Sequence, residues 1–494
     1  MTSTMARIIL FSFLFPLLIP HLTSAETKTF IKEYSYQASE EDSKNSSRVI
    51  ALREVKRLLL EELGTYLESV TEVQNFQLAK DKITTLTAGI VKTEIIAEKW
   101  DGRTYWLQAK IAAVPDEVIK SIDDLRKDGA KTKELEEVRR ISDELLSENR
   151  RLHKELAMQN GQHTKIYEEA YDETIKKLTA LEWFEKGYAS TMLGDYRDAI
   201  DSLSHAIALN KNDEKAYFNR GLNSSKLSLN DAAIQDYNRA IAINPRYDRA
   251  YVNRGAAYAD KNQYDRAIED YDRAILINPD APLAYYNRGI AYSKKNQYDA
   301  AIQDYNRAIA INPRYDSAYV NRGAAYADKN QHDRAIEDYD RAISINPDNP
   351  LAYNNRGIAY ADKNQYDRAI EDYDRAIFIN PDYSNCYNNR GLSYAKNNQY
   401  DRAIIDFNKA ISLNSQYDDA YNNRAAAFFK KKDYEKAIND YNLLLSINPK
   451  YARAHMGRAF VYSATGNYRQ MVDDIKRACD LGLDEACKID NIGR

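Results

Sequence analysis

Residues 250–280 read AYVNRGAAYADKNQYDRAIEDYDRAILINPD, and close variants begin at 284, 318 and 352, with looser ones at 216, 386 and 420. Pro245, Pro279, Pro313, Pro347, Pro381 and Pro449 recur on a 34-residue step, Ser415 filling the gap. Gly221, Gly255, Gly289, Gly323, Gly357 and Gly391 keep the same step. Within the unit that starts at 248, Tyr251, Gly255 and Tyr258 share one helical face, and Ala267, Tyr271 and Ala274 share a second. Asn262 lies between them, where a helix ends in a left-handed residue; glycine takes that place at Gly194 and Gly466. Pro279 stops the second helix, and Asn278 before it is driven out of the helical region. A single helix pair leaves an apolar face open, so each unit must be covered by its neighbour.

A 34-residue period of paired helices with Tyr251, Gly255, Tyr258, Ala267, Tyr271, Ala274 and Pro279 in these places resembles the tetratricopeptide repeat. Units start at 180, 214, 248, 282, 316, 350, 384, 418 and 452. The resemblance implies a mostly α protein: a right-handed superhelix, or α-solenoid, over residues 179–485, whose concave groove receives a protein or peptide partner. Residues 486–494 are left as a tail.

Two ladders run through the array. Arg220, Arg254, Arg288, Arg322, Arg356, Arg390, Arg424 and Arg458 are each followed sixteen residues later by Asp236, Asp270, Asp304, Asp338, Asp372, Asp406, Asp440 and Asp474. Matched recurrence of opposite charges predicts ion pairs between the two helices of a unit, although a basic ladder for an acidic ligand has the same spacing. The first unit carries Lys186 and Ser202 there, as a terminal repeat does. The second ladder is Asn219, Asn253, Asn287, Asn321, Asn355, Asn389 and Asn423. In arrays of the resembled family this position lines the groove, where amides grip a ligand's backbone. An amide offers donors and an acceptor, matching a peptide bond. The alternative is an asparagine bonded within its own layer or hydrated. Lys226, Asp260, Lys294, Asp328, Asp362, Lys396 and Lys430 flank the ladder and supply selectivity. Residues 232–248 and 300–316 are identical, so duplication in two-repeat blocks explains part of the regularity.

Ahead of the array stand three segments. Residues 1–25, with Arg7 before an apolar run from Ile8 to Ile19 and small residues up to Ala25, read as a secretory signal peptide. Residues 26–114 predict a small α+β domain: a strand at TFIKEYSYQA, an amphipathic helix from Ser43 to Leu63 ended by Gly64, a second helix over 78–88, and a hairpin turning at Asp101-Gly102. This order is similar to the N-terminal domain of a flagellar assembly protein and to small domains of bacterial envelope proteins. Residues 115–178 are charged and helical; Val138, Leu145 and Leu152 repeat every seven residues, with Asn149 beside the seam. They predict either a short coiled coil that assembles subunits or a solvated connecting helix.

The net charge of −4 gives no footprint for nucleic acid, and no stretch after residue 25 is long and apolar enough to span a bilayer. No phosphate loop, nucleophile elbow or metal-ligand spacing is present, so neither an enzyme nor a cofactor is expected. Of three cysteines, Cys479 and Cys487 are placed to form one bridge, as in the closing segment of Sel1-like repeats, and Cys386 stands alone. The expected function is an exported, periplasmic interaction scaffold; the alternative is an oligomeric spacer assembled through 115–178.

Overall fold

The computed structural model describes residues 27–39, 42–73, 86–127, 129–158 and 164–492. They fall into two compact units divided between Pro245 and Arg246. The expected signal peptide lies outside the described residues, as does most of the expected helix at 78–88, of which 86–88 form a helical turn.

The first unit opens with β1 (Lys28–Gln37), α1 (Lys44–Val73), β2 (Thr93–Trp100) and β3 (Thr104–Ala113). The three strands form an antiparallel sheet in the order β1-β3-β2. Along β3, Tyr105, Leu107, Ala109 and Ile111 are buried at alternate positions, and α1 covers them with Val55, Leu59, Leu63 and Leu67. The expected stop at Gly64 is wrong: α1 runs nine residues further. A glycine inside a helix costs about 1 kcal/mol, whereas burying a leucine such as Leu67 returns about 1.5–3 kcal/mol. Packing outweighs propensity. At the β2–β3 turn Gly102 takes a φ of 97°, and the Asp101 carboxylate accepts hydrogen bonds from the backbone N–H groups of Arg103 and Thr104.

Residues 115–192 form α2 (Pro115–Lys127), α3 (Gly129–Met158) and α4 (Thr164–Met192). The heptad stripe of α3 is spent inside the chain. Leu135 and Val138 join the core shared by α1 and the sheet, while Leu152 and Leu156 pack on Val49, Ile50, Tyr171 and Ile175. Helix α4 crosses residue 178 without a break and becomes the first helix of the first repeat, paired with α5 (Tyr196–Leu209). The shared core continues into Phe184, Tyr188, Leu203 and Ala216. The α+β segment, the charged segment and the first repeat are therefore one folded body, completed by the pair α6 (Glu214–Lys226) and α7 (Asn230–Ile243).

The second unit is a run of helix pairs. Its first is α8 (Asp248–Asp260) with α9 (Tyr264–Ile277), and further pairs start at 282, 316, 350, 384, 418 and 452, followed by a closing helix at Asp484–Ile492. Each chemical signal of the repeat has its counterpart. Asn262, Asn296, Asn330, Asn364 and Asn398 hold φ near 57–59° at the turn between helices. Asn278 is extended at φ −133° before Pro279. A Cβ on Gly255 would come within 2.7 Å of Tyr271 Cε1, so a glycine there lets the helices close on the buried ring. Stacking is continuous: one buried cluster holds Tyr305, Tyr319, Tyr339 and Ala352, from three successive pairs.

Candidate functional site

Every Arg of the Arg–Asp ladder is paired with the Asp sixteen residues on. Each Asp receives two parallel hydrogen bonds from its Arg, Nε to Oδ2 and Nη2 to Oδ1, at 2.7–2.8 Å and 2.5–2.6 Å for Arg254–Asp270, Arg288–Asp304, Arg322–Asp338 and Arg356–Asp372. The Asp side chains are almost fully enclosed. Burial opposes the charge on Arg288, but the bidentate Asp304 and then Asp272 hold its guanidinium well above its ordinary pKa. Asp272 is a partner that sequence reasoning missed. The remaining nitrogen, Nη1, reaches back to the preceding unit: Arg288 to Asp272, Arg322 to Asn306, Arg356 to Asp340, Arg390 to Asp374, Arg424 to Asn408 and Arg458 to Asn442. Each of these six Arg side chains thus ties the two helices of its own pair to a third in the pair before. The signal was present as Asp or Asn sixteen residues upstream of every Arg from Arg254 to Arg458, with Ser204 in that place before Arg220.

The asparagine ladder is only partly free. Asn321 donates from Nδ2 to the Tyr286 hydroxyl at 2.8 Å, Asn389 to Asn354 Oδ1 at 3.1 Å and Asn423 to Asn388 Oδ1 at 3.0 Å, each reaching the preceding unit. Asn253 donates to the Arg249 carbonyl, and Asn355 Oδ1 accepts from Asn354. Of these five, only Asn253 and Asn355 are bonded within their own layer, and each contact engages one polar group of its ladder amide. A primary amide has two N–H donors and an acceptor oxygen, so bonding capacity remains. Asn219, in the first unit, is different: it is buried and its Nδ2 donates to Glu134 Oε1 of α3 at 2.9 Å. The chain itself has filled that position. The ladder ends at Gly457, where an added Cβ would collide with the Tyr441 hydroxyl.

Positions 2, 6, 9 and 13 of a unit's first helix share a face, because steps of four, three and four residues follow the helical period. In the second unit the ladder asparagines hold position 6. Position 13 carries Asp260, Lys294, Asp328, Asp362, Lys396 and Lys430, and every one is exposed, as is Lys226 in the first unit. Positions 2 and 9 hold all the large exposed apolar residues of these first helices: Leu283, Leu351, Ile358, Leu392 and Phe460. Sequence reasoning had not singled these out; their spacing of four and three from the asparagines was the available signal.

A polar knot in the first unit has the ingredients of acid–base chemistry but not the order. His153 Nε2 lies 2.8 Å from Ser39 Oγ and 3.1 Å from Asp42 Oδ2. A nucleophile–base relay needs its carboxylate on the opposite ring nitrogen; here one nitrogen meets both groups. Asp42 also accepts from Tyr36, Tyr171, Ser46 and the Ser39 N–H, and burial followed by the Asp42 carboxylate pushes the Tyr171 hydroxyl pKa up. The knot joins the end of β1 to α1, α3 and α4. Among the described residues no group of three or more His, Cys, Asp or Glu is placed to hold a metal ion. No helix among them is long and apolar enough to cross a membrane. Cys479 and Cys487 are disulfide-bonded across the last helix turn; Cys386 is buried, and burial pushes its thiol up to about 12.

Comparison with known proteins follows the same repeats. A family described as TPR repeat matches residues 229–261, 255–296, 323–363 and 425–466. A second, described as Tetratricopeptide repeat, matches 282–315, 350–383 and 384–417. Neither is an enzyme family; both describe repeats that typically serve as interaction scaffolds. Among solved structures, MamA is 31% identical over 32% of this chain and 93% of its own, with a TM-score of 0.31. YrrB, described as a TPR protein with an unusual peptide-binding site, is 23% identical over 37% of this chain and 95% of its own, at 0.32. A repeat protein from Parabacteroides merdae is 22% identical over 51% of this chain and 99% of its own, at 0.43. No curated protein matches.

Proposed function

The chain belongs to the tetratricopeptide-repeat family, and from that premise we propose that residues 246–466 hold an extended segment of a protein partner along the 2-6-9-13 face of their first helices. The observation that carries this is the coincidence on one face of spare amide groups, exposed apolar side chains and exposed charges. Each answers a different part of an extended chain. Amides at Asn287, Asn321 and Asn355 meet the backbone. Leu283, Leu351, Ile358 and Leu392 offer apolar contact in a setting that water now covers, worth about 25 cal/mol per Å² buried. The charge order from Asp260 to Lys430 is acid, base, acid, acid, base, base. It favours a partner whose acidic end lies over Lys396 and Lys430 and whose basic end lies over Asp328 and Asp362.

The proposed face starts at Asn253, since Asn219 is engaged by Glu134. Assembly through α3 is disfavoured by the burial of its apolar stripe within the chain. An exported, periplasmic setting is part of the proposal. The apolar run Ile8–Ile19 supports it, and so does a disulfide, which persists in oxidising compartments. The test replaces Asn287, Asn321 and Asn355 together by Ala and measures affinity for the partner recovered by crosslinking in the source's own cell envelope. Affinity should fall at least tenfold while helical signal and melting temperature stay close to those of the parent. Unchanged affinity removes the proposal.

A further inference from the structure

Between α1, α3 and α4 of the first unit lies a cavity of about 140 Å³. Its walls are apolar, formed by Leu60, Leu135, Val138 and Phe184, and it is lined also by Arg53, Lys56 and Glu185. These three side chains are deeply enclosed, at 6%, 17% and 12% exposure. Arg53 Nη1 donates to Glu185 Oε1 at 2.9 Å, and Lys56 donates to the other oxygen of the same carboxylate. Two cations thus share one carboxylate, and one positive charge is left over.

Hydrogen-bond accounting points the same way. An ammonium has three N–H donors, and Glu185 takes one of those on Lys56. Arg53 gives its terminal nitrogens to Ser142, Glu185 and the Leu178 carbonyl, but its buried Nε has no acceptor. Glu182 lies near both cations, and burial raises its carboxyl pKa, but it does not line the cavity and receives none of the hydrogen bonds that Arg53 and Lys56 make. Of the other charged groups in the lining, Arg57 is already matched by Glu54 and Glu61, and Arg139 and Asp143 add one charge of each sign, so the count is unchanged. An unbalanced cation among apolar walls is costly unless an anion joins it.

We infer that this cavity binds a small amphipathic monoanion, a carboxylate on a short apolar body. The carboxylate sits on Lys56, and the body lies among Leu60, Leu135, Val138 and Phe184. Charge excess selects against an amine, and unmet donors select against a plain hydrocarbon.

The test uses the full chain with octanoate as probe, below its micelle threshold, beside 1-octanol and octylamine. Titration calorimetry should find one octanoate site, with each of the other two at least tenfold weaker. Lys56→Met leaves Arg53 alone with Glu185 and removes the surplus charge, so octanoate affinity should drop at least tenfold with the helical signal retained. Val138→Phe narrows the cavity without touching a charge and should also weaken octanoate, which keeps the inference open to refutation if Lys56→Met fails to fold. Absence of octanoate binding, equal binding of octanol, or full affinity in either folded variant overturns it.

Discussion

Replacing Arg322 by Met isolates what the Arg–Asp ladder does. Arg322 makes two charge-assisted bonds to Asp338, at 2.8 and 2.5 Å, and a third to Asn306 of the preceding pair. Its side chain is 18% exposed and that of Asp338 is 8% exposed, so water replaces little of what is lost. Methionine keeps most of the stem's packing and strands the carboxylate. Breaking a buried pair from one side costs about 3–5 kcal/mol, whereas replacing both partners by apolar residues is often neutral. Asn306 is exposed and finds water, so its share is small. Arg322→Met should therefore lower the opening free energy of residues 300–360 by about 3–5 kcal/mol, and Arg322→Met with Asp338→Leu should recover to within about 1 kcal/mol of the parent. Native-state hydrogen exchange by mass spectrometry is the suitable assay, since a repeat array opens locally and a single global transition would blur the effect. A double variant as unstable as the single one would refute the reasoning, because the loss would then lie in the missing bonds and not in the stranded charge.

Three further outcomes follow from the packing. Gly323→Ala places a Cβ 2.7 Å from Tyr339 Cε1 and should destabilise by about 1–3 kcal/mol in urea melts. The unit at 418 carries Ala425 naturally, and there Gly457 leaves room for the Tyr441 hydroxyl; accordingly, adding Asn355→Gly to Gly323→Ala should return part of the loss. In the first unit, burial works against the Glu185 charge, but Arg53 and Lys56 win and hold its carboxyl at about 2, below the usual 4.5. A depressed carboxyl stabilises the fold above its unfolded pKa, so on the order of 3 kcal/mol should be lost as pH falls from 4.5 towards 2. Trp100, Trp106 and Trp183 all lie in that unit, so tryptophan fluorescence reports it alone, and Glu185→Gln should flatten the pH dependence.

The repeats were legible in the sequence because their determinants are local. Asn262 and Pro279 act within a few residues of themselves, and Gly255 with Tyr271 acts inside one helix pair. The sixteen-residue Arg–Asp spacing belongs to the same class, and its pairing was foreseeable; the additional reach of Arg288 to Asp272 crosses into another unit and was not seen. Longer-range effects were harder. Helix α1 continues past Gly64 because the sheet covers Leu67, and periodicity along α1 does not record what it packs against. The α3 stripe has the spacing of a coiled coil but is satisfied by Val49, Tyr171 and the shared core. Asn219 looks like its six counterparts in sequence; only the bond to Glu134, 85 residues away, sets it apart.

Whether the first-helix face receives the partner is tested most directly by site-specific photocrosslinking within one repeat. A photoreactive residue at Ala324, position 9 of the unit at 316, should crosslink the partner, and the product should disappear when Asn287, Asn321 and Asn355 are all Ala. The same probe at Ser344, exposed on the second helix of that unit, should give little. Equal or stronger crosslinking from Ser344 would contradict the account.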